Sequence, residues 1–303
     1  MYDSPALYGD VWVALARIVE ATERIGVATG VAVPILRHPV VTASAIATVE
    51  DLAPGRVAVA FGTGFTARLA MGKRAMRWAD LARYVETVRG LLRGEVVDVE
   101  GAKAQLIYPP GFGPERPIDV PLYVAVAGPK GFGVAHEIAD GVVLGGLPPA
   151  EERDARWSTV AMLVNGTVLD PDEDETSERV RAAVGPWLVT RYHAIYEWAP
   201  DALEGMAGGA EWRAQVEGER PEGERHLAVH EGHVVTVTAR DRPLLDAAGP
   251  ALLDAGWTGD RERVHARLRT VEAAGVTEVI YTPVGPDIAR ELEAFASAAA
   301  GDG

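Results

Sequence analysis

Residues 24–65 read RIGVATGVAVPILRHPVVTASAIATVEDLAPGRVAVAFGTGF, and this stretch decides the fold. Its opening, IGVATGVAV (25–33), is apolar along its whole length, as a strand buried on both faces must be. RHPVVTASAIATVEDL (37–52) puts Pro39 in a first helical turn and sets Ala43, Ile46, Val49 and Leu52 on one helical face. PGR (54–56) turns the chain, and VAVAFGTG (57–64) is a second buried strand ending in glycines. Two strands joined through a helix lie parallel, because a crossover of that length returns the chain to the same edge.

Working outward, the alternation continues. Over 76–93, Trp78, Leu81, Val85, Val88 and Leu92 recur at helical spacing, and the helix closes near Gly94. PLYVAVAG (121–128) reads as a strand, PKGFGVAHEIAD (129–140) as a short helix, and GVVLGG (141–146) and STVAMLVNGTVL (158–169) as strands. Helices are expected over 176–198 and 259–274, then a strand at TEVIYTP (277–283) and a closing helix bearing Ile288, Leu292 and Phe295. Six complete strands separated by helices give a parallel sheet covered on both faces, either an open doubly wound sheet or a closed (β/α)8 barrel. The stretch 199–243 is rich in Gly, Glu and His with little periodicity. It reads as an excursion from one domain spanning 1–303, within a variable region around 147–243, and not as a second domain with its own core.

Composition narrows the partners. With 29 basic against 44 acidic residues, the net charge of -15 repels nucleic acid and anionic membranes. The chain has no cysteine, which removes disulfides, thiolate nucleophiles and Cys-ligated metals. No signal-like or membrane-spanning apolar run occurs, so the expectation is a cytoplasmic protein acting on a small-molecule substrate.

Several stretches offer chemistry. AGPKGFG (127–133) follows a strand and opens a helix, so the Lys130 and Gly131 amides, with the Lys130 side chain, form a candidate phosphate site or else a plain β–α turn. FGTGFT (61–66) has glycines that permit a flat ligand near the backbone and hydroxyls at Thr63 and Thr66; a simple turn is the alternative. Gly30, inside a buried strand, suggests a bulge or a close backbone approach, or a glycine tolerated at a strand end. RHLAVHEGHVV (225–235) spaces His226, His230 and His233 at i, i+4 and i+7; Gly232 and the β-branched residues after it argue against a regular helix, and no metal ligand is assigned. DPDEDE (170–175) reads as a solvated helix start. YDSP (2–5) reads as the exit of a strand into a loop, with Gly9 and Asp10 preceding the apolar-periodic run 11–23.

Together, RIGVATGVAVPILRHPVVTASAIATVEDLAPGRVAVAFGTGF (24–65), VPLYVAVAGPKGFGVAHEIADGVVLG (120–145) and VHARLRTVEAAGVTEVIYTPVGPD (264–287) resemble the luciferase-like flavin- or deazaflavin-dependent oxidoreductases. The resemblance implies a luciferase-like (β/α)8 TIM barrel with its cofactor at the carboxyl ends of the strands. It implies a non-prolyl cis peptide at Gly30–Val31 behind the flavin ring, with Gly62, Thr63 and Gly64 bordering the ring or its ribityl chain. Ala127, Gly128, Pro129 and Lys130 would meet the phosphate end. The GPK, GTGF and RHP forms look more like the coenzyme F420 branch, nearest the methylene-tetrahydromethanopterin reductase-like members, than the FMN branch. The implied activity is hydride transfer between F420 and a small organic substrate. The alternatives are an FMN-dependent monooxygenase served by a separate flavin reductase, and a cofactor-binding barrel without turnover. A metal-dependent hydrolase barrel built on the three histidines is the remaining class.

In that family YDSP falls at the end of the second barrel strand, facing the cofactor. The resemblance thus implies that Asp3 and Ser4 contact the cofactor and that the first strand, first helix and most of the second strand are missing here. Met1 is then an internal methionine, a misplaced start or a fragment boundary, unless the chain is a true short form. Asp3 and His233 are the candidates for proton handling, with His230 beside them, and a homodimer is expected.

Overall fold

The structure, a computed structural model, describes residues 1–152 and 157–301, so four residues of the variable region and the last two of the chain lie outside the described residues. Two compact units contain them: residues 1–69, 73–146 and 157–161 form one, and residues 70–72, 147–152 and 162–301 the other.

In the first unit, a loop leads into α1 (Val11–Ala21), where Asp10 accepts from the N–H groups of Trp12 and Val13 and so caps two otherwise unpaired donors. β1 (Val27–Ala32), α2 (Pro39–Leu52), β2 (Val57–Phe61), a short α3 (Phe65–Leu69) and α4 (Trp78–Leu92) follow. After an antiparallel pair, β3 (Val97–Val99) and β4 (Ala102–Ala104), come β5 (Leu122–Val126), α5 (Pro129–Ile138), β6 (Gly141–Leu144) and the first half of β7 (Thr159–Val164). Strands β1, β2, β5 and β6 neighbour one another in that order and pair in parallel. Ile46, Phe61, Leu81, Val85 and Leu122 are fully buried between sheet and helices, which is why these strands carry no polar alternation. Met1 continues the hydrogen bonding on the outer side of β1: its amino group donates to the Ala28 carbonyl at 2.8 Å, and its carbonyl accepts from the Gly30 N–H at 2.6 Å.

In the second unit, the latter half of β7 lies beside β8 (Glu278–Tyr281), with the Thr282 N–H donating to the Val164 carbonyl at 2.8 Å. The strand expected over 158–169 ends at Val164, where Asn165 and Gly166 break it; Val168 then makes one isolated parallel bridge to Gly259. α6 (Glu178–Trp198) is followed by α7 (Gly209–Glu219), α8 (Arg225–Val229), α9 (Arg242–Ala248), α10 (Arg261–Ala273) and, after β8, α11 (Ile288–Ala300). The expectation of an irregular excursion over 199–243 is corrected. Leu203, Trp212, Val216 and Val229 pack on Val184, Leu188 and Tyr192 of α6 in one apolar cluster. α7 escaped the sequence because its apolar side is only Trp212 and Val216 among eleven mostly polar or small residues.

The acidic run 170–175 is largely exposed, as expected, but two of its carboxylates are engaged. Glu173 grips Arg179 through both its oxygens, and Asp170 takes Arg290 at 2.9 Å. Behind them, the buried Glu291 accepts from Arg179 Nη1 at 2.5 Å and from the Thr167 hydroxyl at 2.6 Å.

Candidate functional site

The carboxyl ends of three adjacent parallel strands bring most of the expected site residues together. β1 carries Gly30–Val31 just before its last residue, Ala32, β2 runs out into Gly62, Thr63 and Gly64, and β5 into Ala127, Gly128, Pro129 and Lys130. In parallel sheets this edge gathers the loops that bind ligands, because each strand there hands over to a helix N-terminus.

The Gly30–Val31 peptide bond is cis, as the resemblance implied. Register shows the consequence for pairing: Gly30 faces Ala60, Ala32 faces Phe61, and Val31 between them has no partner in the ladder, so β1 bulges there. Gly62 is required by that bulge. A Cβ at position 62 would lie 2.5 Å from Cγ2 of Val31, well inside contact distance. At Gly64 the backbone takes φ +78°, and a Cβ would meet Val33 Cγ1 at 2.4 Å, so both conformation and space ask for glycine. The loop after β2 is also fixed from outside, by the Met76 N–H donating to the Thr63 carbonyl at 2.9 Å.

At the end of β5, Pro129 opens α5 and has no N–H to leave unsatisfied. The expectation of two free amides is corrected to one. The Gly131 N–H donates to the Gly128 carbonyl at 2.9 Å, whereas the Lys130 N–H has no backbone acceptor among the described residues. Gly131 is itself crowded from the other side, since a Cβ there would sit 2.9 Å from the ring of Trp78. The Lys130 side chain is exposed, as are Ala127 and Pro129. A cationic side chain beside a free helix-start amide attracts an anion.

Asp3 and Ser4 are buried in the same unit. Asp3 accepts from Arg37 Nη1 with both oxygens, at 2.9 and 2.8 Å, and its Oδ2 also takes the Val33 N–H at 3.2 Å. Arg37 reaches on to Asp10 at 2.6 Å, and its carbonyl accepts from the Tyr84 hydroxyl at 2.9 Å. Burial pushes the Asp10 carboxyl up, but Arg37 and the first amides of α1 more than offset this and hold it below its ordinary value. Ser4 turns the chain, its carbonyl accepting from Leu7 and Tyr8. Arg37 is the residue that sequence reasoning passed over; the RHP triplet contains it, but nothing local says that its partner is Asp3, 34 positions earlier.

His233 belongs to the second unit. Its Nδ1 lies 2.9 Å from Nδ1 of His193 on α6, and His230 completes a cluster whose candidate ligand atoms fall within 4.8 Å of one another. Burial, then the neighbouring His230, lowers His233 to about 3; burial and the other two rings hold His193 well below its ordinary value. These two rings are neutral at physiological pH. His226, which shares the sequence spacing, is not in the cluster and sits by Gly72. His193 carried no sequence signal, being one polar residue in a long helix.

The luciferase-like monooxygenase family model matches residues 2–278. An F420-dependent glucose-6-phosphate dehydrogenase of Beutenbergia cavernae is 35% identical over 142 residues, 43% of this chain and 40% of that protein; over this match the chain spans less than half of its relative. A 5,10-methylenetetrahydromethanopterin reductase of Archaeoglobus fulgidus is 24% identical over 314 residues, covering 94% of this chain and 85% of the relative. Among solved structures, the coenzyme F420-dependent tetrahydromethanopterin reductase of Methanopyrus kandleri superposes with a TM-score of 0.66 at 20% identity, over 98% of this chain and 88% of that one. That likeness establishes the expected α/β fold of the luciferase-like TIM-barrel type. Among the described residues no helix is long and apolar enough to cross a membrane.

Proposed function

The chain belongs to the luciferase-like monooxygenase family, and from that premise we propose that it is an oxidoreductase that passes hydride between coenzyme F420 and a small organic substrate. The observation that carries this reading is the bulge of β1 at Val31, packed against Gly62, beside the Gly62–Gly64 and Gly128–Lys130 turns at the carboxyl ends of the neighbouring parallel strands. The relatives named for F420 dependence support the deazaflavin over FMN.

The residues present fit such a cofactor. A Cβ at Gly30 or at Gly128 would meet nothing within 4 Å, so both ends of the edge leave room for a ligand against bare backbone. Gly30 and Val31 would support the ring, and Gly62, Thr63 and Gly64 would border it or its ribityl chain. Gly128, Pro129 and Lys130 would hold the phosphate, through the Lys130 N–H and ammonium together. A deazaflavin, when bound, supplies a carbon centre that exchanges hydride and does not activate oxygen. The protein's own part is positioning. Asp3 and Arg37 fix the backbone just beyond the bulge through the Val33 N–H, so the ring support is rigid. With its oxygens held by Arg37 and Val33, Asp3 acts as an anchor for that support and a neighbour of the cofactor.

Fluorescence titration of the purified chain with coenzyme F420, and separately with FMN, tests the reading. Saturable binding of F420 alone supports hydride transfer and defines the screen of small alcohols, sugar phosphates and pterins that follows. Binding of FMN alone replaces it with a monooxygenase reading, and binding of neither refutes a cofactor site at this edge.

A further inference from the structure

We propose that His193, His230 and His233 bind one divalent transition-metal ion of the zinc class, which fastens the segment Arg225–His233 to α6. This goes beyond the redox reading and does not rest on it.

The three rings are mutual neighbours, with candidate ligand nitrogens within 4.8 Å of one another. The ring centroids lie 5.6, 5.1 and 5.3 Å apart for the pairs 193–230, 193–233 and 230–233. A zinc–nitrogen bond of about 2.0–2.1 Å puts an imidazole centroid about 3.2 Å from the metal, and tetrahedral directions then separate centroids by about 5.2 Å. The three rings already stand at that spacing.

Three polar atoms of the cluster are unspent, although His193 Nδ1 is paired with His233. His193 and His230 are buried, and Nε2 of His193 and both ring nitrogens of His230 have no hydrogen-bond partner. Buried polar atoms are almost always paired, so three orphans in one cluster ask for a ligand. Nε2 of His230 does lie 3.4 Å from a carboxylate oxygen of Glu197, too poorly aligned for a hydrogen bond but placed to become one. Glu197 stands one helical turn after His193 on α6. With His230 ligating through Nδ1, Glu197 would take the Nε2–H, the carboxylate–histidine–metal arrangement that orients many zinc ligands. Imidazole sets favour zinc, copper, iron or nickel over magnesium or calcium. One ligand ring is braced before any ion arrives: His193 stacks on Trp212 with centroids 5.8 Å apart, and Trp212 is pinned by its indole N–H to Asp241 at 2.8 Å. The nearby Arg240 is compensated by Glu219 and carries its other bond to the Ala228 carbonyl.

The test uses the untagged full chain, stripped with a chelator and titrated with Zn2+ by calorimetry and with Co2+ by visible absorption. The expected result is one Zn2+ per chain, the intense absorption of four-coordinate Co2+, and a melting temperature raised by Zn2+. His193→Ala, His230→Ala and His233→Ala should each weaken binding by ~100-fold, Glu197→Gln by ~10-fold, and His226→Ala not at all. Far-UV circular dichroism checks that each variant is folded. Should a histidine variant fail to fold, the wild-type stoichiometry and the Co2+ spectrum decide alone. Absence of stoichiometric binding, a six-coordinate Co2+ spectrum, or Zn2+ affinity unchanged in His193→Ala overturns the proposal.

Discussion

Arg37 closes on both carboxylate oxygens of Asp3, 34 residues earlier, with Nη1 2.9 Å from Oδ1 and 2.8 Å from Oδ2. The pair is nearly dry, the side chains being 15% and 2% exposed. Removing one member of such a pair strands the other, and the penalty for the stranded charge exceeds what the contact itself contributed. Arg37→Ala should therefore lower the unfolding free energy by ~3 kcal/mol, while Asp10→Asn, on the wet side of the same guanidinium, should cost under ~1 kcal/mol. Urea denaturation of the two variants checks the contrast.

Val31 fills the space a side chain at position 62 would need, so Gly62 cannot change alone. Gly62→Ala should destabilise by ~1–3 kcal/mol, because Val31 is β-branched at the bulge and has few ways to turn aside. The double variant Gly62→Ala/Val31→Ala should recover part of that loss. A double-mutant cycle read by thermal unfolding gives the coupling; additive effects would mean the two residues do not share the space.

Lys130 should matter for binding and not for folding. Its side chain is exposed, so Lys130→Ala should leave the melting temperature almost unmoved. Loss of one charge-assisted contact to phosphate should weaken F420 binding about tenfold. Paired melting and fluorescence titrations separate the two effects.

Acid should act on the second unit through Glu173. The hydrogen bond from Arg179 is the main reason its carboxyl sits below the ordinary value, so the folded chain holds Glu173 ionised where the unfolded chain would already protonate it. Its stabilisation is complete above the unfolded carboxylate range and is lost as pH falls through the lower folded value. In Glu173→Gln the fall in urea midpoint from about pH 7 to about pH 3 should be shallower than in the wild type.

Glu291 should be the most sensitive residue of that same network. It is 1% exposed and holds Arg179, Thr167 and, at 3.3 Å, the Tyr281 hydroxyl. Glu291→Gln keeps the shape and removes the charge; Arg179 keeps Glu173 as its carboxylate partner, so the cost should be that of one weakened charge-assisted hydrogen bond, ~1–2 kcal/mol. Chemical denaturation of the variant checks the size.

What the sequence made legible follows from the range of the forces involved. Strands β1, β2, β5 and β6 are written in unbroken apolar runs, and α2, α4 and α5 in local periodicity and proline placement, so all were found within a few residues. The turns at Gly62 and Gly64 were visible because glycine marks backbone that a side chain would obstruct, and the one at Gly128 because Gly-Pro punctuates a strand-to-helix turn. Tertiary pairings were not visible. Nothing near Arg37 announces Asp3, nothing in α6 announces that His193 meets His230 and His233, and the two-residue apolar side of α7 is too thin to see. The second free amide expected at Gly131 failed for a local reason: the turn closes on the Gly128 carbonyl.

A crystal structure of this chain grown with coenzyme F420 tests the central claim most directly. The account predicts the deazaflavin ring lying against Gly30–Val31 beside Gly62, with the phosphate at the Lys130 N–H and side chain. A cofactor bound elsewhere on the molecule, or a Gly30–Val31 edge left empty at saturating F420, would contradict it.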